Sequence, residues 1–278
     1  MKKNLSRVFS MLLVFTLAFS LMGPQVFAAT ITGVTFDDPA DFAIVRTAGA
    51  TESIKAVALT GTGTPGDPYG KQDIVDAANV SWTSTNTGIV KFLSGGSEVN
   101  SISGTDTVTI KVVGAGRANV VASYAGYTVH SVVDSSTDSN TLSTGIDLEV
   151  KGKVTDHFTI NDMDVQLFSL KAIFGPSYND SSVLQNKVTA LHALLYGLER
   201  YYDPDYSGGV EVTDVHDPAW DWDWVSTNVM INYGGAYVYK IGADINWWVY
   251  KVNGSSPAYG ASQYVLSNNA VVYWESLK

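Results

Sequence analysis

Between residues 30 and 133 the chain alternates short apolar–polar runs with Gly, Asn, Ser and Asp turns: ITGVTF, SIKAVALTG, VSWTST, GIVKF, DTVTIKVV, RANVVASY and YTVHSVV. Runs of period two with no helical pattern between them predict an antiparallel β-sandwich. In VSWTST the alternation puts Val80, Trp82 and Ser84 on one face, which makes Trp82 a natural core plug. The next stretch, DSSTDSNTLSTG (134–145), is almost all small and polar. It reads as a linker or long exposed loop, because it has little apolar area to offset the entropy of ordering. IDLEVKGKV (146–154) alternates again and either closes the first domain or opens a second.

The pattern then changes in kind. MDVQLFSLKAIFG (163–175) reads as a strand. VLQNKVTALHALLYGLERYY (183–202) places Leu184, Val188, Leu191, Leu195 and Leu198 at steps of four and three, one apolar helix face, with Ser181 or Ser182 as its cap and Pro204 as its stop. Three aromatic-rich β runs follow, NVMINY, AYVYKI and NWWVYKVNG, and QYVLSNNAVVYWES ends the sequence. The predicted fold is therefore mainly β: an Ig-like sandwich over 29–133, a linker or connecting strand over 134–157, and a small α+β domain with one main helix over 158–278.

Composition adds a compartment. Lys2, Lys3 and Arg7 precede an apolar run, Val8 to Leu21, that closes on Val26-Phe27-Ala28, the pattern of a secretory signal peptide over 1–28. The run is short for a membrane span, and no later stretch reaches about 20 apolar residues. Removing it leaves 14 Lys+Arg against 27 Asp+Glu, a net charge of −13, which disfavours nucleic acid and anionic lipid as partners. Cysteine is absent, so neither disulfides nor thiolate metal sites contribute. The expectation is a secreted or extracellular protein, associated with a cell wall noncovalently if at all.

Two resemblances follow from particular residues. V-S-W-T-S-T-N-T-G-I-V (80–90) and the later V-G-A-G-R-A-N-V-V-A-S-Y (113–124) resemble the bacterial Ig-like (Big) domains repeated in surface proteins, which implies a spacer or adhesion module. V-T-A-L-H-A-L-L (188–195), G-G-A-Y-V-Y-K-I (234–241), W-V-Y-K-V-N-G (248–254), G-A-S-Q-Y-V-L (260–266) and A-V-V-Y-W (270–274) together resemble the transcobalamin-like C-terminal domain, a β-grasp fold. Trp248, Asn253, Gly254, Gly260, Tyr264 and Leu266 fall on its landmarks, and Tyr202 to Ser226 departs from it as an insertion. The resemblance implies ligand binding, with cobalamin or another tetrapyrrole as the candidate, and implicates Trp248 and Tyr250 together with the 217–224 loop.

Chemistry is sparse. No Gly-x-Ser-x-Gly elbow or His-Glu-x-x-His helix is present, and His130, His157, His192 and His216 lie far apart, so the protein reads as non-enzymatic. His192 is expected to be a structural histidine on the helix. DPDYSGGVEVTD (203–214) follows a calcium-loop pattern, with Asp203, Asp205, Ser207, the Gly209 carbonyl, Glu211 and Asp214 as oxygen ligands, though an Asp holds the last position and Pro218 disrupts any exiting helix. In DPAWDWDW, a strand would place Trp220, Trp222 and Trp224 on one face, suited to sugar rings or a flat macrocycle, unless they cover the core. In NWWVYKVNG, Trp248, Tyr250 and Val252 share one face, while Trp247 shares the other with Lys251 and is expected nearer the surface. The alternative to ligand binding is a structural or adhesive surface protein that contacts cell-wall glycan or other proteins.

Overall fold

The structure is a computed structural model that describes residues 30–62, 69–202, 206–207, 210–218, 220–232, 237–245 and 248–277. The leader pattern of residues 1–28 lies outside the described residues. In the first half the strands are β1 (Gly33–Phe36), β2 (Ala43–Val45), β3 (Thr51–Leu59), β4 (Lys71–Gln72), β5 (Ser81–Ser84), β6 (Val90–Ser94), β7 (Ser97–Val99), β8 (Ser101–Ser103), β9 (Thr107–Val112), β10 (Arg117–Tyr124) and β11 (Tyr127–Asp134). They build two sheets, ordered β1-β3-β9-β6-β7 with β4 on β3, and β2-β11-β10-β5-β8. Apart from the parallel β2–β11 pair, neighbouring strands run antiparallel.

The alternation read from the sequence is what buries the sandwich core. Val108, Ile110 and Val112 on β9, and Ala118, Val120 and Ala122 on β10, are all inward and buried. Trp82 has no exposed surface, stacks on Phe36 at 6.4 Å, and donates its indole N–H to the Thr105 carbonyl at 2.9 Å. That bond removes the usual penalty for burying an indole N–H. At Gly114 an added Cβ would lie 2.3 Å from the Gly88 carbonyl oxygen, so only glycine lets the turn before β10 close on this sheet edge.

The second half contains β12 (Leu142–Lys151), β13 (His157–Gln166), α1 (Leu170–Phe174), α2 (Ala190–Tyr202), β14 (Tyr206–Ser207), β15 (Val210–Glu211), α3 (Asp223–Asn228), β16 (Val229–Asn232), β17 (Tyr237–Ile241), β18 (Asp244–Ile245), β19 (Trp248–Val252) and β20 (Val271–Ser276). The main sheet is ordered β13-β12-β20-β19, with β12 and β20 parallel at its centre and antiparallel hairpins outside. A parallel central pair made from the first and last strands, with one helix across a face, is a β-grasp arrangement. IDLEVKGKV therefore opens this half rather than closing the first. A separate sheet, β16-β17-β18, lies apart from the main one.

Several local expectations change. The strand expected over 163–175 stops at Gln166, and Ser169 caps the short helix α1 by accepting from the Lys171 N–H. The main helix begins at Ala190 rather than near Val183, so Leu184 and Val188, though buried, come from the irregular segment before it. Periodicity alone could not see this, because the lead-in obeys the same spacing while its backbone bonds go elsewhere: Leu184 N to Ser262 O, and Val188 N to Asn140 O.

The polar stretch after Asp134 is not an exposed loop throughout. Asp134, Ser135 and Ser143 are buried. Ser135 Oγ donates to the Gly114 carbonyl at 2.6 Å, and Asn140 Nδ2 donates to the Leu266 carbonyl at 2.8 Å. Buried Lys187 pairs with Asp138 at 3.0 Å and also donates to the Asp138 carbonyl and to Ser136 Oγ. Composition misreads this segment because it holds its place by hydrogen bonding rather than by apolar burial. Thr32–Lys278 accordingly form one compact unit. A small cluster of Ala43, Val132 and Leu184 against Tyr259 and Val265 joins the sandwich to the β-grasp half.

In that half, Leu191, Leu194, Leu195 and Leu198 of α2 pack on Ile146, Leu148 and Val150 of β12 and on Val272 and Trp274 of β20. Gly197 sits where the helix comes closest to the sheet, and a Cβ there would lie 2.2 Å from Leu148 Cδ2. Gly197→Ala is therefore expected to destabilise by about 1–3 kcal/mol through overpacking, opposite in sign to the ~1 kcal/mol gain usual for Gly→Ala in an exposed helix. Urea unfolding of the variant measures this, and a stabilised variant would show that the helix and sheet do not approach as described.

Candidate functional site

The run DPAWDWDW, expected as a strand with three indoles on one face, is a turn leading into α3. Trp220 and Trp222 are buried in the core. Trp220 stacks on Tyr196 at 5.2 Å, Trp222 packs on Phe168 at 4.5 Å, and partly buried Trp224 stacks on Tyr202 at 4.0 Å. The cause is Glu199, buried on α2, whose carboxylate accepts from the N–H groups of Trp224 and Val225 at 3.0 and 2.8 Å. These are unsatisfied donors of the first turn of α3, so a carboxylate there pins the helix and draws its tryptophans inward. The three indoles cover the helix-side core instead of forming an open platform.

Of the calcium-loop pattern, Asp203, Asp205 and Gly209 lie outside the described residues. The backbones of Ser207 and Glu211 belong to the β14–β15 hairpin, and exposed Asp214 accepts from the His216 N–H at 2.9 Å. Among the described residues no group of three or more His, Asp or Glu side chains gathers as a metal site would require.

Trp248 and Tyr250 are placed differently. They line two adjoining cavities of about 410 and 250 Å³ that share Tyr237, Val238, Trp248 and Val249 as a common wall. The larger one lies between the sandwich, which gives Val34, Thr35, Leu59 and Tyr69, and β16, β17 and β19, which give Asn232, Tyr239 and the shared wall. The smaller one is closed by residues 256–261, Tyr250 and Trp274. Trp247 lies outside the described residues.

Rigid supports hold the walls. Trp248 donates its indole N–H to the Asp244 carbonyl at 3.3 Å. Asp244 is itself buried, and its carboxylate accepts from the backbone N–H groups of Lys153, Val154 and Thr155. Burial pushes that carboxyl up, but the backbone hydrogen bonds outweigh it and hold the group below its ordinary value. Tyr250 stacks on Trp274 at 5.2 Å and donates to the Tyr259 carbonyl at 2.7 Å. Tyr237 meets Phe42 edge-on at 6.0 Å, and Asn232 Nδ2 donates to Tyr69 Oη at 2.9 Å.

Burial raises the hydroxyls of Tyr69, Tyr237, Tyr250 and Tyr259, so all four stay neutral near pH 7. The side chain of Tyr237 keeps 48% of its surface accessible even so, as a residue on a concave wall would. Two buried polar atoms of the lining have no hydrogen-bond partner: Thr35 Oγ1 and Trp274 Nε1. Neither cavity has an Asp, Glu, Lys, Arg or His among its described lining residues.

A larger cleft of about 640 Å³ opens at the sandwich edge beside Asp37, Asp38, Asp41 and Glu52. Burial, with Asp38 nearby, pushes the Asp41 carboxyl up to about 7. The cations there are engaged, Arg46 by Glu52 and Lys55 by Asp73, each at 2.5 Å. With both cations engaged and Asp37, Asp38 and Asp41 beside them, this cleft offers an anionic ligand no available cation among its described residues.

Residues 232–278 match a known family. Its description is "Domain of unknown function (DUF4430)", a transcobalamin-like family, and the matched segment carries β17 to β20 and most of the aromatic cleft. The C-terminal resemblance read from the sequence is thus met over those residues, whereas no match to the bacterial Ig-like family accompanies the sandwich. No curated protein matches the chain.

Among the solved structures similar to it are two of one surface-layer protein. "Crystal structure of the S-layer protein SbsC domains 4 and 5" has 19% identity over 38% of this chain and 51% of that one, with a TM-score of 0.25. "Structure of surface layer protein SbsC, domains 4-9" has 11% identity over 89% and 32%, with a TM-score of 0.27. The chain thus spans about half of the first and a third of the second. Likenesses this distant carry no functional argument.

The sequence pointed to Trp248 and Tyr250 but not to Thr35, Tyr69, Asn232, Tyr237, Tyr239 or Trp274. Tyr237 and Tyr239 flank Val238 at period two, a signal that could have marked a tyrosine face. Thr35 gives none, since an outward threonine on β1 is ordinary until another part of the chain covers it.

His192 is a structural residue in a definite tautomer. It is fully buried, Nδ1 accepts from the Thr189 N–H and hydroxyl, and Nε2–H donates to the Phe168 carbonyl at 3.0 Å. Burial lowers its pKa to about 4. Since the unfolded chain takes up the proton near pH 6.5, the stability due to neutral His192 is complete above that pH and is lost as pH falls from 6.5 toward 4, by about 3 kcal/mol in all. Urea midpoints across this window should show the loss in the wild type and a flatter profile in His192→Gln. An unchanged slope in the variant would reassign the titration to another group.

Proposed function

We propose that the protein is a non-enzymatic binding protein that acts outside the cell, with the sandwich and β-grasp halves jointly holding a small ligand in the aromatic cleft. The observation that carries this reading is the pair of adjoining cavities that share Tyr237, Trp248 and Val249 in their walls, with buried polar groups of the lining residues left without partners. A few hundred Å³ of mostly apolar concavity with a few polar groups is what small-ligand sites commonly offer. In favour of binding over catalysis, the described residues of the lining supply aromatic faces, hydroxyls and an amide, and no acid–base pair among them.

The extracellular part of the reading rests on the basic-then-apolar pattern of residues 2–28. No helix among the described residues is long and apolar enough to cross a membrane. Tetrapyrroles of the cobalamin type, implied by the C-terminal resemblance, belong to the ligand classes to be tested.

Val249 gives the means of test, because it faces both cavities while 37% exposed, so a larger side chain there fills the cleft without disturbing the core. In a thermal-shift screen of cobalamins, haem, nucleosides and saccharides, a cleft ligand at about 100-fold excess over its Kd adds ~2.7 kcal/mol of stability. That corresponds to a rise in Tm of about 5–10 °C. The rise should occur in the wild type and vanish in Val249→Trp. Equal shifts in both proteins, or none with any class, would refute the cleft as the binding site.

A further inference from the structure

The chemistry of the cleft narrows the ligand, given the reading of it as a binding site. The chain is strongly acidic, with 27 Asp+Glu against 17 Lys+Arg, yet no charged side chain is among the described residues of either cavity. A phosphate or carboxylate entering would leave its hydration without a cation to meet it, in the field of a net negative protein. A haem iron would find no histidine in that lining. What the walls do supply is aromatic surface together with neutral donors and acceptors.

The polar groups left unpaired are specific. Thr35 is 3% exposed and its Oγ1 has no partner; Trp274 is 1% exposed and its Nε1–H has none. Each lies in the lining of one of the two joined cavities. Buried polar groups normally find partners, so a pair of orphans in adjoining cavities points to a bound species that carries hydroxyls at two separated positions. The same species must present apolar surface to Tyr237, Val238 and Trp248 between them.

We propose that the cleft binds a neutral saccharide. A pyranose ring has a C–H face that packs on an aromatic ring and an equatorial rim of hydroxyls that both donate and accept, which is the combination these walls lack and complement. Neither Thr35 Oγ1 nor Trp274 Nε1 has accessible surface as the structure stands, so in this arrangement each side chain turns toward its own cavity on binding to take a ring hydroxyl, and the shared wall of Tyr237 and Trp248 takes the sugar faces. The two adjoining volumes, about 250 and 410 Å³, are each large enough for a sugar residue.

Thr35→Val separates binding from folding. It exchanges an unpaired hydroxyl for a methyl of similar shape, so the protein should be equally or more stable. The full chain is tested on an array of neutral oligosaccharides with acidic counterparts, and hits are titrated by calorimetry together with cyanocobalamin and haem. Binding of a neutral saccharide, weakened about tenfold in Thr35→Val with Tm unchanged or higher, is the expected result. A tetrapyrrole or an acidic glycan that binds in the wild type but not in Val249→Trp, with neutral saccharides inert, overturns the saccharide while the cleft remains a site. Saccharide binding unaffected by both substitutions, or no binding by any of these probes, overturns the saccharide and the cleft together.

Discussion

A lysine ammonium taken out of water has to find an anion and several acceptors, and Lys187 finds them in the segment that connects the two halves of the protein. Its side chain is almost wholly buried, its charge is met by Asp138, and its remaining donors go to the Asp138 carbonyl and Ser136 Oγ. The bond from Ser136 and the charge of Lys187 hold the Asp138 carboxyl down at about 2. The same segment pairs Asn140 with Lys187 and hydrogen-bonds to Asn186, Val188 and Leu266. A stretch whose composition reads as a tether is therefore a fixed strut, and the cavity between β1 of the sandwich and β17 of the β-grasp half exists because that strut fixes their relation.

Within the β-grasp half the aromatic residues are divided between two tasks by hydrogen bonds rather than by hydrophobicity. Glu199 binds the first turn of α3 and so commits Trp220 and Trp222 to the helix side of the core, with Trp224 stacked on Tyr202. Asp244 gathers three backbone N–H groups and offers its carbonyl to Trp248, which fixes that indole on the opposite side, at the cleft. Two buried carboxylates, each satisfied by backbone donors, thus decide which tryptophans turn to the helix side and which line the cleft.

The sequence was most informative where a single period governs a run. Seven of the eleven sandwich strands, Trp82 as a core plug and the strands 229–232, 237–241 and 248–252 all follow from alternation. It was least informative where partners lie far away along the chain. The start of α2 was displaced because Leu184 and Val188 keep helical spacing while bonding to Ser262 and Asn140. The tryptophan run 217–224 stayed open between an exposed strand face and core cover because nothing nearby reveals that Glu199, some 25 positions earlier, caps its helix. Half of the cleft was out of reach for the same reason, since Thr35 and Tyr69 join Trp248 only through the packing of one half on the other.

The C-terminal resemblance pointed to Trp248 and Tyr250, and by itself the sequence determined the mainly-β class, the sandwich, the single long helix and the absence of disulfides. These are local properties, set by side-chain period, composition and turn chemistry, and each residue's neighbours along the chain suffice to read them. Only the tertiary structure decided that the polar connector is held in place, that Trp220 and Trp222 are core with Trp224 packed against it, and that a cavity with no charged side chain among its described residues opens between β1 and β17. Those outcomes rest on hydrogen bonds and burial between residues far apart in sequence, whose energies no window along the chain contains.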